Sequence, residues 1–244
     1  MRIFFLLTLC LASHCWAAAA PVENLFKEGS QAYIAGGYEE SAKLFRKAAA
    51  ASPSPGTLHN LGNAEWQCGR VGPAMLAWEQ AQWLSPFSPN TRANLRFALK
   101  ATQLDAPDLA WYEICSTWLP VNAWAWIACL SFWLAIAMVI LPGVLRWRKV
   151  DWHQGVAAAC FAIFLLTIPA LIGVHTRSKL GIILAKETKL RLTPTSEAQV
   201  LARLRAGETA RLEQARGKYV FIRTGNAAAG WIEGAEFGSI SRNP

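Results

Sequence analysis

The chain has 244 residues, enough for one or two domains. A hydrophobic fraction of 53 %, a charged fraction of 16 % and a mean hydropathy of +0.21 exclude disorder along most of its length, because disordered chains are poor in apolar residues. The net charge of +8 gathers toward the C-terminus: residues 177–244 hold twelve basic and six acidic side chains, against eight and nine in residues 21–113.

The N-terminal segment predicts a secretory signal peptide over residues 1–20. Arg2 precedes an apolar run from Ile3 to Ala12, and small residues follow at Ala17 to Ala20. The run is shorter than the ~20 residues that a membrane-crossing helix needs. Cleavage fits after Ala17, Ala19 or Ala20.

Residues 21–106 contain an internal repeat. Gly29, Phe45 and Pro53 recur 33 positions later as Gly62, Trp78 and Pro86. Small residues at Gly29, Ser41 and Ala48, and again at Gly62, Ala74 and Ala81, let two helices approach closely, with Phe45 and Trp78 filling the space between them. The prolines stop each second helix, since proline lacks an amide donor and clashes with the preceding turn. This pattern resembles two tetratricopeptide repeats over about residues 22–88, with a capping helix from Asn90 to Leu104. The resemblance implies a concave groove made by the first helix of each unit, faced by Tyr33, His59, Asn63, Trp66 and Gln67. It places Asn63 where family members hold a peptide main chain or a carboxylate. The residues equally allow Asn63 to satisfy neighbouring backbone while the aromatics pack the helices.

Two stretches without Asp, Glu, Lys or Arg follow, from Ile114 to Leu145 and from Trp152 to Thr176. They predict transmembrane helices over 119–145 and 154–176. Trp111, Tyr112, Trp118, Trp147 and Trp152 stand where aromatic belts form. The connecting turn, 146–153, carries Arg146, Arg148 and Lys149 and reads as cytoplasmic. A cleaved signal and two crossings then put both terminal domains in the periplasm, on an inner (cytoplasmic) membrane protein.

Beyond Glu187 the pattern changes to short alternating strands, as in Lys218-Tyr-Val-Phe-Ile-Arg-Thr224, separated by Gly207, Gly217, Gly225 and Gly230. The order of Leu190 to Thr195, Gly207-Glu208, Tyr219 to Arg223 and Gly230-Trp231-Ile232 resembles bacterial SH3-like domains. The expectation over 183–241 is an all-β SH3-like barrel. Tyr219 and Trp231 are its candidate surface aromatics, although Trp231 also reads as core. Arg191 and Arg205, with Arg203, Arg211 and Arg216, read as a basic face toward wall polymer or lipid, or simply as a solvated strand face.

No catalytic constellation stands out. His14, His59, His153 and His175 have no partner at metal spacing. There is no phosphate-binding glycine loop and no nucleophile elbow. The expectation is a non-enzyme without cofactor or metal. The order of signal, helical repeats, membrane hairpin and SH3-like domain resembles the "Bat" aerotolerance operon E-type proteins of Gram-negative bacteria. The resemblance implies a scaffold that holds envelope partners, namely von Willebrand A-domain proteins and a MoxR-type AAA ATPase. An alternative is a peptidoglycan-binding or envelope-stress sensor module acting through the SH3-like domain. Neither reading involves nucleic acid.

Overall fold

The computed structural model of the chain describes residues 22–144 and 152–241; the expected signal peptide and most of the expected cytoplasmic turn lie outside the described residues. Five helices come first: α1 (residues 22–34), α2 (Tyr38–Ala51), α3 (Pro55–Gln67), α4 (Val71–Leu84) and α5 (Pro89–Thr102). A short α6 (Trp111–Ser116) leads into α7 (Val121–Val144) and α8 (Trp152–Arg177). Seven strands follow: β1 (Leu180–Ile183), β2 (Glu187–Arg191), β3 (Val200–Arg205), β4 (Thr209–Arg216), β5 (Tyr219–Thr224), β6 (Ala229–Glu233) and β7 (Phe237–Ser239).

Doubled Ser-Pro pairs punctuate the helices. α2 and α4 end just before Ser52-Pro53 and Ser85-Pro86. The second pair in each place starts the next helix. Ser54 Oγ accepts from the Thr57 amide at 3.1 Å, and Ser88 Oγ accepts from the Thr91 amide at 3.4 Å. Pro55 and Pro89 occupy the first helical position, where a missing amide donor costs nothing.

The sequence repeat becomes two similarly packed hairpins, α1–α2 and α3–α4. A Cβ on Gly29 would lie 3.1 Å from the Phe45 ring, and one on Gly62 only 2.4 Å from Trp78. The aromatic rings occupy the space that a larger residue would take. Burying Phe45 contributes about 1.5–3 kcal/mol.

α4 buries more than one face. Trp78 lies against α3, while Gly72, Met75 and Leu76 meet the strands. One apolar cluster joins Met75, Trp78, Leu95 and Leu104 from the helical part to Leu180, Ile182 and Ile240 beside or within the sheet. Gln80 Nε2 also donates to the Ser239 carbonyl at 2.9 Å. A second cluster, with Ile183, Leu190, Leu204, Ile222 and Ile232, fills the sheet itself.

The strands form one antiparallel sheet in the order β3-β2-β6-β5-β4-β1-β7. This corrects the expectation of a closed barrel, because β3 and β7 do not pair. The β7 end is taken up by α4, whose Leu76 lies over Gly238. At the other end, β2 meets β6 at the single register pair Arg191–Trp231, next to the bulge between Leu190 and Arg191.

α7 and α8 are long and apolar enough to cross a membrane, and only 17 % of each apolar window is buried. Trp126, Trp133, Val139 and Leu166 are each more than 60 % exposed. A soluble core helix would bury such side chains. α6 wedges against the C-terminal end of α8, where a Cβ on Gly173 would lie 2.1 Å from the Tyr112 carbonyl.

Gly72 tests the α4–sheet contact. A Cβ there would lie 2.5 and 2.6 Å from the carbonyl oxygens of Ile183 and Leu184, and backbone atoms yield poorly. Gly72→Ala should destabilise the protein by roughly 1–3 kcal/mol in thermal melts of the detergent-purified chain. Gly56→Ala, whose Cβ meets nothing within 4 Å, should leave the melting temperature unchanged or slightly higher.

Candidate functional site

α3 and α5 share a linked polar and aromatic face, and α1 adjoins α3 at a shallow cavity. His59 Nδ1 lies 2.9 Å from Thr91 Oγ1, joining α3 to α5. Burial pushes the His59 ring below its ordinary pKa, which favours the neutral imidazole. Asn63 Oδ1 accepts from Trp78 Nε1 at 3.1 Å and from Asn94 Nδ2 at 2.8 Å. Its oxygen therefore orders three helices. Its amide NH2 is the group suited to donate to a ligand carbonyl.

Trp66 packs on Trp78 and Phe97, each with ring centroids 5.7 Å apart. Tyr33 stacks edgewise on Tyr38 at 5.2 Å. Gln67 is exposed. Tyr33 and Asn63 meet in a shallow cavity of about 130 Å³ with Ser30, Ile34, Phe45 and Asn60. His59, Trp66 and Gln67 do not line it. Ile34, at 85 % exposure, was not among the candidates read from sequence. Its position one residue after Tyr33 was the available clue.

The sheet residues are dispersed. Tyr219 is buried, with Lys218 Nζ 5.3 Å from its ring centroid. Trp231 is half-buried and meets Phe221 edge-on at 5.3 Å. Arg191 donates to the Ser196 carbonyl at 2.6 Å. Arg205 reaches Glu208 at 3.2 Å, Arg203 reaches Glu187 at 3.0 Å, and Arg211 reaches Glu113 at 2.9 Å. Four of the five arginines grouped by sequence as a basic face are thus engaged within the fold.

Two buried carboxylates were not singled out from the sequence. Glu65, 1 % exposed, receives both Arg46 and Arg70, and Arg70 also reaches Glu39 at 2.5 Å. This network ties α2, α3 and the start of α4. Hydrogen bonding to Glu65 holds the Arg70 guanidinium strongly protonated. The signal was Glu65 itself, seven residues after Leu58 and four after Leu61 on the buried face of α3.

Glu113 caps α6 by accepting from the Ala110 amide at 3.0 Å. Arg211 of β4 reaches it, and also donates to the Thr176 carbonyl of α8 at 2.8 Å. Burial acts to raise the Glu113 carboxyl; hydrogen bonds from Arg211, Thr176 and Ala110 outweigh it, so the pKa falls.

Among the described residues no group of three His, Cys, Asp or Glu side chains is placed to hold a metal ion. Cys68, Cys115, Cys129 and Cys160 are free thiols. No protein-family model matches the chain, and no curated protein does.

Removing Glu65 should hurt less than stranding it. Arg46 and Arg70 are partly exposed and can rehydrate, whereas the carboxylate cannot. The double change Arg46→Met/Arg70→Met should cost about 3–5 kcal/mol in thermal melts, and Glu65→Met distinctly less.

The lowered Glu113 pKa gives an acid-labile contribution. It is fully present above the unfolded carboxylate value of about 4.3 and is lost as pH falls through the lower folded value. Melting curves below about pH 4.5 should therefore fall less steeply for Glu113→Gln than for the wild type.

Proposed function

We propose that the protein is a non-catalytic inner-membrane scaffold, with helical repeats of the tetratricopeptide kind and an SH3-like sheet domain. Its repeat groove holds a segment of an envelope partner. The cavity between Tyr33, Ile34 and Asn63 carries this reading. It offers an exposed apolar platform, Ile34, beside an amide suited to main-chain recognition.

The exposed apolar surfaces of α7 and α8 support membrane insertion. The shared core supports a hairpin topology: it contains residues that precede α7 and residues that follow α8, and these can pack together only on the same side of a bilayer. The periplasm is the compartment proposed for both. By their resemblance, the partners are von Willebrand A-domain membrane proteins and a MoxR-type AAA ATPase.

Ile34→Asp separates the groove from the fold, because Ile34 is almost fully exposed. Von Willebrand A-domain proteins should co-purify with the tagged wild-type chain after gentle detergent extraction. Recovery with Ile34→Asp should drop roughly tenfold or more, the effect of removing one buried apolar anchor, at an unchanged melting temperature. Equal recovery with both chains, or recovery of wall fragments alone, overturns the reading.

A further inference from the structure

A larger cavity, about 650 Å³, lies where the helical part meets the two apolar helices. That volume suits a ligand of drug-like size. Its walls come from α4, the α4–α5 turn, α5, the segment around α6, the first residue of α7 and the last residue of α8. Val121 and Arg177, which begin and end the apolar pair, both line it. The cavity therefore opens where a membrane surface would lie, beside Trp118, which is 62 % exposed.

The walls carry charges of both signs. Arg177 lies 5.1 Å from the Trp83 ring centroid and donates to Ser116 Oγ at 3.0 Å, so its guanidinium is held in place with donors to spare. Arg92 is exposed and anchored by one bond to the Pro86 carbonyl at 2.8 Å. The same walls carry acceptors. Glu79 forms no salt bridge among the described residues, and burial pushes its carboxyl up against the opposing pull of Arg177. Gln82 donates its amide to the Pro86 carbonyl at 2.7 Å, which leaves Oε1 buried without a partner. Two arginines beside a carboxylate that forms no salt bridge and an amide oxygen that lacks a partner match a zwitterion better than a simple anion.

We propose that this cavity binds the headgroup of an amine-bearing phospholipid, with its phosphate on Arg92 and Arg177 and its ammonium on Glu79. The acyl chains run down the exposed apolar surface of α7 and α8, continuous with the cavity mouth. The inference rests on the membrane reading above. Ethanolamine satisfies the site where choline does not, since a quaternary amine has no N–H to donate. Glycerol headgroups lack the cation.

The test is native mass spectrometry of the full chain in detergent, titrated with phosphatidylethanolamine, phosphatidylglycerol and phosphatidylcholine of identical acyl chains. The wild type should retain phosphatidylethanolamine roughly tenfold better than either rival, as one charge-assisted hydrogen bond predicts. Glu79→Gln should abolish that preference while keeping overall lipid binding, and Arg92→Gln should weaken retention of all three. Equal retention by the wild type, or an unchanged preference in Glu79→Gln, overturns the proposal. So does equally tight binding of soluble glycerophosphoethanolamine, which would place a free phosphoamine there. Alkaline carbonate extraction distinguishes the two levels of the argument. A chain that stays in the membrane yet shows no lipid preference loses this inference alone, whereas a chain that is extracted loses both.

Discussion

The fold depends on α4 being apolar on more than one side. An ordinary surface helix buries a single stripe and solvates the rest. Here Trp78 and Ala81 serve the helical stack, while Gly72, Met75 and Leu76 serve the strands. The consequence is a shared apolar cluster that joins the helical stack to the sheet, beside a second cluster within the sheet itself. The sheet stays open for the same reason: the edge that would close it is already covered by a helix. A covered edge is also protected from pairing with other chains.

Polar groups then set the orientation that apolar contact alone leaves loose. Dispersion and burial are weakly directional, but a guanidinium with two or three acceptors has a narrow geometry. Arg211 joins β4 to both α6 and the end of α8, and Arg177 joins α8 to Ser116. These contacts form a collar where the apolar pair meets the rest of the protein. The sheet is thereby bonded to α6 and α8, and Arg177 over the Trp83 ring brings the helical stack into the same junction.

Much of the local structure was legible in the sequence. Recurrence of Gly29, Phe45 and Pro53 at a fixed offset specified the paired hairpins, and two charge-free runs specified α7 and α8. Alternation located the strands, because side chains change face at each residue. Closure was not legible, since alternation identifies a strand without naming its neighbour, and the pairing of β3 with β7 is a long-range matter. The helix-starting role of Ser54 and Ser88 was not legible, because Pro53 and Pro86 read as stops and the next helix start was not marked. Site reading fared unevenly for a related reason. Asn63 stands out in the repeat, but its bonds to Trp78 and Asn94 depend on how helices stack. Glu79, Arg92 and Arg177 are far apart in the chain, and only folding brings them to one cavity.

The double duty of α4 also has a bearing on synthesis. The strands that cover Met75 and Leu76, β1 and β7, are translated after both apolar helices, roughly 100 to 150 residues beyond Leu84. At ~5–20 residues per second, that delay is on the order of five to thirty seconds. Throughout it, the apolar stripe of α4 that meets the strands lacks its cover. A chain that ends before β1 lacks the residues that cover this stripe. Apolar surface of that kind favours association with other chains, and completion of the strands removes it from water.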